Sequence, residues 1–284
     1  MDADERAGDG ARASFRSIDH LVRGERAREN AHLRTFTSGR LGETLCRKLR
    51  EDDNYFSWAR VKGKVLRKEI TEAVACVGLV ERELRALGSD LGGATVFDVC
   101  CGKGMTSCVA ANSAEGCEVF ALDRDRRMNM KHLASEKMIE FRAMDAYDEG
   151  VDDLMRDARE RGRIIVVAGV HLCGDLSRRA TELFARWGDV LVLSPCCLVR
   201  EVKPAKRKYG DFGYGLAAAA KRLGVDSHDL WCRLLMANVP THVGREFTPV
   251  RKELFVDESM MSEKNLFIVA RRERAGAERC LSCS

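Results

Sequence analysis

Residues 96–107 read Val96-Phe97-Asp98-Val99-Cys100-Cys101-Gly102-Lys103-Gly104-Met105-Thr106-Ser107, and the fold turns on this stretch. Val96–Val99 reads as a strand, Gly102-Lys103-Gly104 as a tight turn, and Met105–Ala111 as the start of a helix. A strand that passes through a glycine turn into a helix N-terminus presents free backbone N–H groups to a ligand. Glycines at 102 and 104 permit close backbone approach. Asp98, at the strand end, is expected to face the same crevice.

The turn argues against a dinucleotide. That fingerprint needs G-x-G-x-x-G, but Ser107 holds the third glycine position, and Asp98 would repel a pyrophosphate. An acid just ahead of a shortened glycine turn suits a cationic ligand, such as S-adenosylmethionine with its sulfonium and α-amino group. The D-x-x-C-G-x-G pattern resembles motif I of Rossmann-like methyltransferases. The plain alternative is an ordinary strand-to-helix turn.

Outward from this stretch, strand and helix patterns alternate, which predicts a parallel sheet covered on both faces. Strands are expected at Val96–Val99, Glu118–Leu122, Ile139–Arg142, Ile164–Val170 and Val190–Leu193. The clearest helix precedes them, with Leu66, Ile70, Val74, Val77, Val80, Leu84 and Leu87 at helical spacing and Gly88 as its C-cap. Helices are also expected over 216–223 and 227–238. Two β-like runs close the pattern, Arg251–Asp257 and Leu266–Arg271, as an antiparallel hairpin. The expected class is α/β: a Rossmann-like seven-stranded sheet with a C-terminal antiparallel hairpin and a helical N-terminal extension. The divisions expected are 1–54 for the extension of solvated surface helices, 55–272 for the main domain and 273–284 for a polar tail.

The 284 residues carry 48 Lys and Arg against 44 Asp and Glu, so the net charge of +4 neither demands nor excludes nucleic acid. Most of the twelve cysteines lie in apolar strand-like runs, which reads as reduced thiols and not a secreted disulfide scaffold. No stretch of 18 uncharged apolar residues occurs, and MDADERAGDG has no signal-peptide core. No membrane partner and a cytoplasmic or nuclear location are expected.

Four stretches carry a family resemblance: VFDVCCGKGMTS, VFALDRD, VVAGVHLCGDLSRRATELF and VLVLSPCCL. In order and spacing they resemble the methyltransferase domain of the tRNA 2′-O-methyltransferases of the acceptor stem and their uncharacterised relatives. HLCG after strand four and PCC after strand five are its specific signals. The resemblance covers about residues 55–271. The chain departs from the tRNA enzymes in lacking a CCCH zinc-finger pattern and in carrying Asp98 where they tend to carry glutamate. It therefore implies methyl transfer from S-adenosylmethionine more firmly than it implies tRNA.

Under this reading Asp98, Cys100, Gly102 and Gly104 hold the methionine end of the cofactor. Asp123, 25 residues beyond Asp98, takes the ribose hydroxyls. Asp145 reaches the adenine amino group and the Ala146 N–H a ring nitrogen. His171 and Leu172 lie at the crevice mouth. His171 acts as a base for a hydroxyl acceptor, orients the acceptor, or only bonds the neighbouring loop. Asp175 is a catalytic acid or a helix N-cap. Cys173, Cys196 and Cys197 read as small buried pocket thiols in preference to zinc ligands, because adjacent cysteines do not easily share one tetrahedral ion. No metal is expected. Residues 199–222 carry Arg200, Lys203, Lys206, Arg207, Lys208, Lys221 and Arg222, with Tyr209, Phe212 and Tyr214 interleaved. This Arg200–Arg222 loop suits phosphate contact and base stacking, which makes RNA the leading acceptor. A protein acceptor, or a cofactor-binding scaffold without turnover, is the alternative.

Overall fold

A computed structural model of the chain describes residues 24, 29–51, 55, 63–198, 215–243 and 247–273. Residues 1–15, Phe56–Trp58, residues 199–214 of the basic loop and the tail after Glu273 lie outside the described residues.

Helix α1 (Ala31–Thr37) is capped by Asn30, whose side chain accepts from the Leu33 N–H. Gly39–Leu41 (α2) leads through a π-helical turn, Gly42–Cys46, into Arg47–Glu51 (α3). Then comes the long α4 (Gly63–Ala86). The sheet follows as β1 (Ala94–Val99), α5 (Met105–Ser113), β2 (Glu118–Asp123), α6 (Lys131–Ala134), β3 (Ile139–Ala143), α7 (Glu149–Glu160), β4 (Ile164–Cys173), α8 (Asp175–Arg186) and β5 (Val190–Cys197). Helices α9 (Leu216–Leu223) and α10 (Ser227–Asn238) precede β6 (His242–Val243), β7 (Thr248–Val256) and β8 (Leu266–Arg272).

The strands lie in the order β3-β2-β1-β4-β5-β8-β7-β6. The first five are parallel, and β8 runs antiparallel between β5 and β7. Among the described residues the sheet therefore has eight strands and not the expected seven. The extra one, His242–Val243, pairs with the start of β7; two residues are too few to show a period of two. Strand order reverses between β1 and β4, and the carboxyl ends of those two strands open a crevice there.

Two cores flank the sheet. One packs α4 and α5 on Val96, Val166, Ala168, Val190 and Val192; the other packs α7, α8 and α10 on Phe97, Val167, Leu191 and Ile268. The N-terminal helices are not the solvated surface extension that their charges suggested. Leu33, Phe36, Leu45 and Leu49 are buried in the first core beside α4. Polar clasps hold them: His32 Nε2 lies 2.9 Å from Asp257, Asn30 donates to the Ser259 carbonyl at 2.5 Å, and Lys48 pairs with buried Glu136 at 2.5 Å. The result is that α4 is covered on every side over residues 70–77.

Phe36→Ala should therefore destabilise the whole domain by about 3–5 kcal/mol. Urea unfolding followed by both fluorescence and circular dichroism checks this. A single shifted transition is expected, and an unshifted main transition would mean that the extension does not share the core.

Candidate functional site

Side chains alternate along β1, so Asp98 lies on the α4 side with Ala94 and Val96 while Phe97 and Val99 join the other core. Asp98 is buried, and its Oδ2 accepts from the Ser107 N–H at 3.1 Å and the Ser107 hydroxyl at 2.6 Å. The carboxylate thus sits on the N-terminal turn of α5, where the helix dipole favours negative charge. Burial nonetheless pushes its pKa up to about 6, against the Ser107 hydrogen bonds and with Asp123 adding to the rise.

The turn above it is built from glycines in left-handed conformation. Gly102 has φ 53° and nothing within 4 Å of where a Cβ would stand, which leaves open space for a ligand. Gly104, φ 75°, is the N-cap of α5, and a Cβ there would come 2.8 Å from Leu133. Asp123 shapes the same turn: its Oδ2 accepts from the Gly102 N–H at 3.1 Å and its Oδ1 from the Asp125 N–H at 2.9 Å. His132 of α6 contacts the Lys103 carbonyl at 2.7 Å from the other side.

The second wall comes from an irregularity in β4. Val166, Ala168 and Val170 pack on the α4 side, and Ile165 and Val167 on the other. At His171 the backbone turns left-handed, φ 60°, and the register with β5 shifts on both sides of Leu172. The bulge exchanges faces. Leu172, due on the α4 side, is wholly buried in the opposite core. His171, due on that opposite face, instead meets α4, its Nε2 2.6 Å from Glu72 Oε1 and 3.2 Å from Lys68 Nζ. A non-glycine residue held left-handed costs on the order of 1–3 kcal/mol and is concentrated at functional sites.

A cavity of about 250 Å³ gathers Asp98, Cys100, Gly102 and His171 with Lys103, Met105, Thr106 and, from α4, Glu69 and Glu72. A larger open hollow of about 1050 Å³ lies over β2, β3 and α7, lined by surface charges such as Glu118, Lys137 and Arg161, and holds none of these residues. Glu72 is 2% exposed, and its Oε1 is met by charge from Lys68 at 3.3 Å and by His171 but by no aligned hydrogen bond. Burial raises the Glu69 carboxyl, against the pull of Lys103 and with Glu72 adding. Three carboxylates around one small cavity fit the cationic end of S-adenosylmethionine.

Of the residues expected from sequence, Asp98, Cys100, Gly102 and His171 meet in this cavity. Asp123 stands behind the turn. Burial, then the charges of Asp123, Asp98 and Asp145, push the Cys100 thiol to about 12, so these acids cluster around it. Asp145 Oδ1 accepts from the Tyr147 N–H at 3.1 Å, and the buried Ala146 carbonyl accepts from Arg179 at 2.9 Å. The Leu172 side chain belongs to the far core and does not line the cavity. Gly174 (φ 55°, ψ −126°) is the N-cap of α8 and Asp175 its first residue, and neither lines the cavity. Sequence reasoning passed over Lys68, Glu69 and Glu72. The available signal was Glu72 between Thr71 and Ala73-Val74-Ala75-Cys76-Val77, a lone charge in an otherwise small or apolar run.

An acid whose folded pKa is raised leaves the protein unpenalised below its ordinary value of 3.8 and costs stability as pH rises from there through about 6. Ligand-free Asp98→Asn protein should therefore be more stable than the parent at pH 7, on the order of 1–3 kcal/mol, and equal to it near pH 4. Urea denaturation at the two pH values tests this, and a variant less stable at pH 7 would contradict it.

Residues 67–203 match the family model described as a methyltransferase domain. No curated protein matches the chain. Among solved structures, the complex of WbdD with the kinase inhibitor LY294002 is 17% identical with a TM-score of 0.37, over 70% of this chain and 40% of that one. The plantazolicin methyltransferase BpumL in complex with SAH is 10% identical with a TM-score of 0.37, over 90% and 99%. Human N-acetylserotonin methyltransferase in complex with SAM is 14% identical with a TM-score of 0.33, over 93% and 68%. The chain thus spans 40% of the length of WbdD. No helix among the described residues is long and apolar enough to cross a membrane. The stretch that matches the methyltransferase-domain model, residues 67–203, contains every residue that lines the cavity at the β1–β4 switch point.

Proposed function

We propose that the whole chain transfers a methyl group from S-adenosylmethionine, and that the acceptor is RNA. The observation that carries the first half is the buried Asp98 beneath the Gly102–Gly104 turn, in one cavity with Glu69, Glu72 and His171. Asp98 and the two glutamates neutralise the positive end of the cofactor, while the open space at Gly102 admits its backbone contact. Asp123 takes the ribose hydroxyls with its remaining lone pairs, and Asp145 with the Ala146 N–H takes the adenine. Such a transfer is an in-line displacement at carbon, so orientation and exclusion of water supply much of the rate.

His171 lies between Glu72 and Lys68 and presents an imidazole at the cofactor end of β4. For a ribose hydroxyl acceptor it is the base, and Glu72 orients its ring. The acceptor assignment rests on the charge of residues 199–222, seven cationic side chains against Glu201 and Asp211. Of these, Lys221 and Arg222 close α9 among the described residues. They follow β5 in sequence, and the carboxyl end of β5 lies beside that of β4, which brings His171 to the cavity.

Calorimetric titration with S-adenosylhomocysteine should give micromolar binding, about −8 kcal/mol, that weakens as pH falls through 6, because protonated Asp98 no longer opposes a cation. Asp98→Ala should abolish it, and undiminished binding would remove this crevice as the cofactor site. His171→Ala should lower transfer to a total-tRNA pool by roughly 10²–10⁴-fold with unchanged cofactor affinity. Replacing Lys206, Arg207 and Lys208 with alanine should flatten the salt dependence of tRNA binding by up to about two units of slope. If the parent does not bind RNA at low salt, the acceptor is a protein or small molecule.

A further inference from the structure

Three cysteines converge beside the crevice without being part of it. Cys173 ends β4, and Cys196 and Cys197 end β5. Cys196 Sγ lies 3.2 Å from Cys173 Sγ and 3.3 Å from Cys197 Sγ, and all three sulfurs fall within 4.8 Å of one another. Neighbours in a regular strand point to opposite faces, so Cys196 and Cys197 should diverge. They do not, because the bulge that turns His171 also shifts the pairing here: Leu172 faces Pro195, and Cys173 faces Cys197. The objection that adjacent cysteines cannot serve one ion does not hold at this strand end.

Nor are these the buried pocket thiols expected from sequence. Cys173 and Cys197 are exposed and Cys196 is half-buried. Structural cysteines are ordinarily buried and act as small hydrophobes; here three sulfurs meet at a water-facing edge. Tetrahedral zinc with bonds of about 2.3 Å requires sulfurs about 3.8 Å apart. The two spacings from Cys196, 3.2 and 3.3 Å, fall about half an ångström short of that value, within reach of small side-chain rotations, and the third pair lies within 4.8 Å.

We propose that Cys173, Cys196 and Cys197 form a binding site for a thiophilic divalent cation, with Zn²⁺ the ion it takes. Three thiolates leave the fourth tetrahedral position to solvent, the pattern of an open site. Soft thiolate ligands select zinc over magnesium or calcium. On binding, three S–H bonds break, three Zn–S bonds form and up to three protons pass to the buffer, with no change of oxidation state. The thiols of Cys196 and Cys173 donate to the His171 carbonyl at 3.2 and 3.7 Å in the ion-free cluster. Loading the site removes those donors, so the ion would act on the same left-handed residue that faces the crevice.

The test uses the full chain, reduced and under inert gas. It carries Cys280→Ser and Cys283→Ser, so that the Cys280-x-x-Cys283 pair of the tail contributes nothing. Competition with a chromophoric chelator should show one Zn²⁺ per chain. Co²⁺ in its place should give thiolate-to-metal charge-transfer absorption and intense tetrahedral bands in the visible. Cys173→Ser and Cys197→Ser should each weaken Zn²⁺ about tenfold or more, while S-adenosylhomocysteine binding, unchanged, reports an intact fold. Absence of stoichiometric Zn²⁺, equal affinity in the cysteine variants, or metal binding seen only when Cys280 and Cys283 are present would each overturn the proposal. So would a Cys173–Cys196 disulfide found by mass spectrometry in a protein that binds no metal once reduced. None of these results bears on methyl transfer, which the cofactor titration tests separately.

Discussion

A carboxylate buried between a strand and a helix organises the crevice. Asp98 leaves β1 on the side of the sheet that α4 and α5 cover, and it hydrogen-bonds both polar hydrogens of Ser107 in the first turn of α5. That pair fixes where the helix begins relative to the strand, and so where the turn between them lies. Gly102 is then drawn to Asp123 on the neighbouring strand, and the Lys103 carbonyl to His132. A hydrogen-bonded charge in a dry place is expensive to keep ionised, which is why Asp98 sits near pH 6 and not near 4. A cation held in the cavity offsets that expense, so burial of the carboxylate favours a ligand of the right charge.

The other wall depends on a backbone irregularity. One left-handed residue, His171, exchanges the faces of β4 beyond Val170. The same event buries Leu172, aims an imidazole at Glu72, lets Gly174 cap α8 and brings three sulfurs together. HLCG and PCC are therefore one structural unit on two adjacent strands. Each residue of HLCG does something different: bend, anchor, thiol and cap.

Much of this was legible in the chain. Four of the five parallel strands were visible as largely apolar runs ending in polar or glycine residues, and Ile139–Ala143 as an alternation of apolar and charged ones; Asp98, Cys100, Gly102 and His171 were identifiable because each stands near such an end. What escaped had physical reasons. The extensions of β4 to Cys173 and β5 to Cys197 follow from a bulge, and a bulge leaves no mark on hydrophobic periodicity. The burial of Leu172 in the far core has the same cause, since a one-residue slip reverses every later side chain. The α4 contribution was missed because Glu69 and Glu72 sit on a helix whose other residues read as pure packing. The N-terminal helices looked solvated because charged and polar residues separate their apolar ones, yet Leu33 and Phe36 among these are wholly buried.

The clasp between the two sequence-distant parts of the fold has a bearing on how the chain reaches this state. His32 meets Asp257 across 225 residues of sequence, and Asn30 meets Ser259 across 229. The strand β8 that completes the sheet lies inside it, between β5 and β7. Until the ribosome has released that segment, β5 offers a bare edge and α4 lacks part of its cover. Contacts of such separation form late and slow the search for the native topology. A nascent chain stopped short of Leu266 would carry every residue of the crevice and still expose an apolar sheet edge, the condition in which chaperones and aggregation compete for a protein.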